Sequence, residues 1–226
     1  MTNQEFSNEF DILYNNIMSN QAPGLDEYEK SVFLTNSQEK VLIGLYNGSI
    51  LGNSFENTEE TRRYLESVIK TYSTSNKIEG QEGLTKDSVF YNLPDDLWFI
   101  TYESASLIDT RLGCLNNTVA SVIPVTQDDF YNIYNNPFRG ASDKRVLRLD
   151  VKDNRVELVS RYNIDKYLVR YIAKPNPIIL EDLPDNLSIN ALNKKTECEL
   201  NPILHRVILN TAVDMAKQSM HSSMGN

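Results

Sequence analysis

His205 and His221 are the only imidazoles in the chain, so base or metal chemistry near neutral pH would have to recruit one of them. His205 lies between Leu204 and Arg206 in an apolar-periodic stretch and reads as an interface or core-edge residue; His221 falls in the tail. No G-x-S-x-G nucleophile elbow accompanies either. Neither a P-loop nor a G-x-G-x-x-G stretch is present to cradle phosphate. Cys-x-x-Cys and His-x-x-x-His are missing, and Cys114 and Cys198 are too far apart in sequence to suggest zinc or a disulfide framework. Reduced thiols and intracellular assembly follow. Two carboxylate pairs, Asp95-Asp96 and Asp128-Asp129, could hold a cation. The second suits the first turn of a helix, and turn chemistry accounts for Asp150, Asp153 and Asn154, which miss the EF-hand spacing. The reading is no catalytic residues, no metal and no cofactor.

The basic residues form the firmer pattern. Lys144 to Lys174 hold nine basic side chains against four acidic ones. Arg145, Arg148, Arg155, Arg161 and Arg170 fall on or beside expected strands, with Tyr162, Tyr167 and Tyr171 interleaved. Cations among aromatics can bind single-stranded nucleic acid. Yet acids alternate with the arginines, as in Arg148-Leu149-Asp150 and Arg155-Val156-Glu157, which suits cross-strand pairs or subunit contacts better. Arg145, Arg148, Arg155, Arg170 and His205 are the candidate interface residues.

The elements that must position them are legible from periodicity and caps. Thr2 to Glu5 is a capping box, followed by Phe6, Phe10, Leu13 and Ile17 on one helical face, with a stop at Ala22-Pro23-Gly24. Asp26 caps a short second helix through Leu34, and a further box, Thr35 to Gln38, opens another that ends at Asn47-Gly48. Residues 48–57 read as a loop. Thr58 starts a helix carrying Tyr64, Leu65, Val68, Ile69 and Tyr72. Residues 73–87 form a long polar loop. Strands are expected over 89–93, 98–107, 119–125, 144–151, 156–161 and 167–174, from their aromatic and β-branched content. A short helix capped by Thr126 spans 126–136, and the turn Lys152-Asp153-Asn154-Arg155 closes a hairpin. After a linker over 181–200, Asn201 and Pro202 open a last helix whose face is Leu204, Ile208, Ala212 and Met215, broadened by Ile203 and Val207. The tail from His221 should fray. Helices, then strands, then one helix make an α+β fold: N-terminal helices, a central mostly antiparallel sheet and a C-terminal helix. A single domain is expected over residues 1–226, with its helical part at 1–72, its sheet part at 88–180 and its last helix at 201–220.

Composition sets the outer limits. The 226 residues are 40% hydrophobic and 23% charged, which suits a folded core and argues against disorder. No run reaches the roughly 18–20 apolar residues of a membrane span, and the polar, acidic N-terminus is not a secretory signal. The net charge of −9 falls as −8 over residues 1–60, −4 over 61–143 and +3 over 144–226. An acidic chain is a poor nucleic-acid binder. An acidic front and a basic back can instead meet head to tail between copies, a heterologous contact that closes rings.

Three stretches then carry a resemblance: Glu9–Asn16 (EFDILYNN) running on to Ala22–Ser31 (APGLDEYEKS); Pro137-Phe138-Arg139-Gly140 with the strands to Lys174–Leu180 (KPNPIIL); and Leu200–Arg206 (LNPILHR) with its helix. The chain resembles virion structural proteins of crAss-like bacteriophages of Bacteroides-type gut hosts. The likeness is strongest to the tail ring proteins that stack below the portal as head-to-tail connectors, and it covers most of the chain. It implies a non-enzymatic homo-oligomeric ring, a dodecamer matching the portal. The implied partners are the portal and other ring proteins, with genomic DNA passing through the lumen. It implies a virion location, with assembly in the host cytoplasm and no membrane. The competing reading is a phage-encoded nucleic-acid-binding or regulatory protein using the strands of 144–174.

Overall fold

In the computed structural model the described residues are 1–15, 24–50, 55 and 58–224, with side chains to Met220. They divide into two compact units, Met1–Val68 with Pro175–Asn226, and Ile69–Lys174. The fold is α+β.

The first unit is helical. Helix α1 (Asn3–Asn15) opens on the expected box: Glu5 N–H donates to Thr2 Oγ1 (3.3 Å), and Thr2 N–H to the Glu5 carboxylate (2.8 Å). Phe6, Phe10 and Tyr14 are its buried face. Helix α2 (Glu27–Asn47) starts at Asp26, whose carboxylate caps Glu29 N–H, and ends at Gly48 in the left-handed region, φ 78°. It runs unbroken through Thr35, so the second box is not a helix start. Thr35 and Gln38 bond an extended segment instead. Ile178 N–H donates to Thr35 Oγ1 (3.1 Å), the Gln38 amide to the Asn176 carbonyl (2.8 Å), and Leu180 N–H to Ser31 Oγ (3.0 Å). Side chains spaced like a cap serve a distant extended segment here instead.

Helix α3 (Glu59–Tyr64) is capped by Thr58 as expected but ends eight residues before Tyr72. Beyond a short 3-10 turn the chain becomes a strand. The β-branched run that fits a helix poorly pairs well in a sheet. The last helix, α5 (Pro202–Met224), begins with Ile203 N–H on the Asn201 side chain (3.1 Å), and its backbone stays helical past His221. Its buried face is Leu204, Ile208, Leu209, Ala212, Val213 and Ala216, whereas Ile203 (64% exposed) and Val207 point outward. The apolar stripe therefore broadens on the opposite side from the one expected. Ser37 on α2 donates to the Ile208 carbonyl of α5 (2.6 Å). Ile17, the stop at Ala22-Pro23, most of the 48–57 loop and the last two residues lie outside the described residues.

The second unit is one seven-stranded sheet. Its strands are β1 (Ile69–Thr74), β2 (Ser88–Asn92), β3 (Leu97–Leu107), β4 (Thr118–Pro124), β5 (Arg145–Val151), β6 (Arg155–Val159) and β7 (Ile164–Ala173). Their order is β1-β7-β3-β4-β5-β6-β2, antiparallel everywhere except between β4 and β5. That parallel pair needs a crossover, which α4 (Phe130–Tyr134) supplies. Helix α4 starts later than expected, at Asp129 and not at Thr126. The β5–β6 turn holds Asp153 and Asn154 at φ 65° and 51°, as their side chains permit.

The sheet is strongly curled. The rings of Tyr91 on β2 and Tyr167 on β7 lie 5.5 Å apart, yet five strand steps would separate them by about 24 Å in a flat sheet. Inside the curl lie Ala105, Leu107, Ala120, Val122, Val146, Val156, Leu158, Tyr167 and Val169. Outside it, Leu147, Leu149 and Val159 pack beneath Phe130 of α4.

Candidate functional site

Side-chain parity decides which of the arginines can meet a partner. On β5, Val146 faces the interior of the curl, so Arg148 does too and Arg145 faces out. Arg148 is only 8% exposed. It donates to Glu103 of β3 (2.8 Å) and reaches Asp150 at the rim (3.5 Å), while its Nε has no hydrogen-bond partner. Glu103 also accepts a short hydrogen bond from the Tyr167 hydroxyl. Burial raises the Glu103 pKa, and the Arg148 cation only partly offsets that. Burial and the neighbouring Glu103 push the Tyr167 phenol up as well. Arg148 is therefore bound up within its own sheet.

Arg145 donates to the Phe138 carbonyl (2.7 Å) and so holds the loop that precedes β5. Arg155 is half-buried at the start of β6, directly after the turn. Arg170 is exposed on the outer face of β7, between Thr71 and Tyr102. His205 belongs to the other unit and is buried, its ring 5.4 Å from that of Phe6. Its Nε2 lies 3.0 Å from the Leu200 carbonyl and its Nδ1 2.6 Å from the Met1 amino group, which fits a neutral ring with the proton on Nε2. Burial lowers its pKa; the hydrogen bond to the Leu200 carbonyl pulls partly the other way, and the Met1 amine adds a further lowering. The five candidates thus do not make one patch. Arg145 and Arg170 share an outer face, Arg155 ends a hairpin, and Arg148 and His205 are internal.

That outer face carries residues the sequence reading passed over. In register across β7, β3, β4 and β5 stand Arg170 and Tyr102, then Lys166, Ser106 and Val119, then Ser121 and Arg145. Val119 is 62% exposed, and Tyr102 and Ile123 also lie open. The only hint in the sequence was β4 itself, where Val119, Ala120, Val122 and Ile123 leave neither face polar. The interleaved tyrosines, in contrast, offer no stacking platform. Tyr167 and Tyr171 are buried, and the Tyr162 ring lies under Arg111 at 5.3 Å.

In the first carboxylate pair, Asp96 has structural work. Asp96 accepts from Lys70 (2.7 Å) and the Tyr171 hydroxyl (2.9 Å). Burial opposes its ionisation, but these donors bring its pKa below the usual range. Asp129 begins α4. Among the described residues no group of three or more His, Cys, Asp or Glu side chains is placed to hold a metal, and no helix is long and apolar enough to cross a membrane.

The two units also differ in charge. Met1–Val68 with Pro175–Asn226 carries 17 acidic and 8 basic residues, a net of −9, while Ile69–Lys174 carries 14 of each and is neutral. What this arrangement offers chemically is recognition: outward cations and apolar side chains on a sheet in one unit, and an excess of carboxylates in the other.

The family model described as phage tail ring protein 3/4 matches residues 1–226. The chain is 56% identical over 228 residues to "Ring protein 3" of Bacteroides phage crAss001, covering all of this chain and 99% of that protein. It is 34% identical over 235 residues to "Ring protein 4/5" of the same phage, covering 99% of this chain and 95% of that one.

Proposed function

The chain belongs to the phage tail ring protein 3/4 family, and from that premise we propose that it forms a homo-oligomeric ring in the head-to-tail connector, below the portal. The ring is twelvefold to match the portal, bridges it to other tail ring proteins, and lets genomic DNA pass through its lumen. It acts as a structural virion component and not as an enzyme, assembled in the host cytoplasm.

The observation that carries this reading is the division of charge. One unit of each copy is strongly acidic, and the other displays Arg145, Lys166 and Arg170 outward around Tyr102, Val119 and Ile123. The acidic unit of one copy against the cationic sheet face of the next is a heterologous contact, and such contacts close into rings. Acidic side chains along a lumen would also repel phosphates, so that DNA slides without sticking. The competing role in nucleic-acid binding has less support, since the tyrosines it would use are buried or covered.

Quantitative mass spectrometry of purified particles tests the proposal. A copy number equal to the portal's, or a small whole multiple of it, is expected. Absence of the chain from particles would overturn it, and salt-dependent binding to DNA would then take first place.

A further inference from the structure

The most exposed large apolar side chain described in this chain is also one of the most firmly mounted. Phe138 is 88% exposed. Its backbone N–H and that of Arg139 both donate to the Asn136 side chain, at 2.9 and 3.2 Å. The Arg145 guanidinium holds its carbonyl at 2.7 Å. Gly140 N–H closes the turn on the Asn136 carbonyl at 2.8 Å. A Cβ at position 140 would come within 2.8 Å of the Asn136 and Tyr134 carbonyls, so the turn requires glycine there. Ordering a loop in order to hold an aromatic ring in water makes little sense for the isolated subunit. It makes sense for a pre-organised anchor, since binding then avoids the entropy of fixing the loop.

We propose that Phe138 inserts into the groove between α2 and α5 of an adjacent copy of this chain. The inference rests on the ring reading above and names its anchor. The groove encloses about 370 Å³ and is lined by Val41, Ile50, Val207 and Met215, with Lys40 and Asp214 among its polar residues. A cavity of about 150 Å³ already holds a benzene ring, so a phenylalanine fits with room for its neighbours. The chemistry matches on both sides. The anchor is followed by Arg139 and sits on a loop that also carries Lys144, both exposed. The groove belongs to the unit with net charge −9, and Asp214 is an exposed carboxylate for Arg139. Lys40 can lie against the face of the inserted ring. Val207, which turns away from its own core, gains a partner.

The test uses phage particles assembled with the full-length chain as sole copy. The paired cysteine variant Arg139→Cys/Asp214→Cys, which leaves Phe138 in place, in a Cys114→Ser background, should give a ladder of covalent oligomers on non-reducing gels of purified particles. Neither single variant should do so. Phe138→Ala should lower the number of copies per particle roughly tenfold or more, as loss of an aromatic hot spot does, while Phe138→Trp restores most of it. The proposal is overturned if the paired variant enters particles at normal copy number without a ladder. It is also overturned if Phe138→Ala assembles normally, or loses assembly while the paired variant gives no ladder. If the wild-type chain is itself absent from particles, the ring reading fails with it, and that control separates the two failures.

Discussion

Two buried polar clusters, one in each unit, do different work. In the helical unit, α2 carries Ser31, Thr35, Ser37 and Gln38 to its buried side, and each bonds a backbone group of another segment: Leu180, Ile178, Ile208 or Asn176. Neutral side chains there satisfy an extended stretch, 176–180, that has no sheet of its own. In the sheet unit every strand finds its ladder, and the buried cluster around Arg148 joins side chain to side chain. Glu103 and Arg148 face each other inside the curl, with Arg148 Nε unpaired. The difference teaches what each polar cluster is for. The first fixes irregular backbone, where hydrogen bonds are obligatory. The second sets side-chain placement inside a sheet whose backbone is already satisfied.

The sharpest way to break this comparison is to leave one charge buried alone. Glu103→Leu should cost about 3–5 kcal/mol, because Arg148 then lacks its counterion, whereas Glu103→Leu with Arg148→Met should come close to wild type. Denaturant midpoints of the two variants and the wild type decide it, and equal losses for single and double variants would refute a specific ion-pair penalty. In the helical unit, Gln38→Leu should cost about 1–3 kcal/mol by orphaning the Asn176 carbonyl, and no second apolar substitution can rescue a backbone acceptor. A thermal melt with a companion variant on the extended segment checks that asymmetry.

A smaller effect separates the units by pH. The folded pKa of His205 lies below its unfolded value, so the folded state binds fewer protons. The stability it confers is complete above the ordinary histidine value of about 6.5 and is lost as pH falls from there through the lower folded value. Melting curves over pH 7.5 to 5 should show this loss, and His205→Gln should flatten it. The smallest change in stability is expected at the exposed face. Arg170→Glu should stay within about 0.5 kcal/mol of wild type while weakening assembly, as read by oligomer mass of the soluble chain or copy number in particles. Unchanged assembly would remove Arg170 from the interface.

The local signals were largely readable in the sequence. Thr2–Glu5, Asp26, Gly48, Thr58 and Asn201-Pro202 mark helix ends because a cap is a contact between residues three or four apart. The strands and the Asp153-Asn154 turn were legible for the same reason: β-branched runs and tolerance of positive φ are local properties. Helix α3 was read as too long because pairing of β1 with β7, almost a hundred residues away, outweighs the helical period of Leu65, Val68 and Tyr72. The Thr35–Gln38 box misled because a residue pattern does not say which backbone will answer it. The arginines divided in the same manner. Their number and alternation with acids were visible, but β5 parity sends Arg148 inward and leaves Arg145 at the loop.

By itself, the sequence determined the α+β class, most element boundaries set by caps and turns, the uneven charge, and the resemblance to phage ring proteins. The tertiary structure alone decided the strand order, the curl that brings Tyr91 to Tyr167, which cations stay available to a partner, and the mounting of Phe138. Those features depend on contacts between residues far apart in the chain. Such contacts are chosen by which surfaces bury each other, a choice that no short window of residues contains.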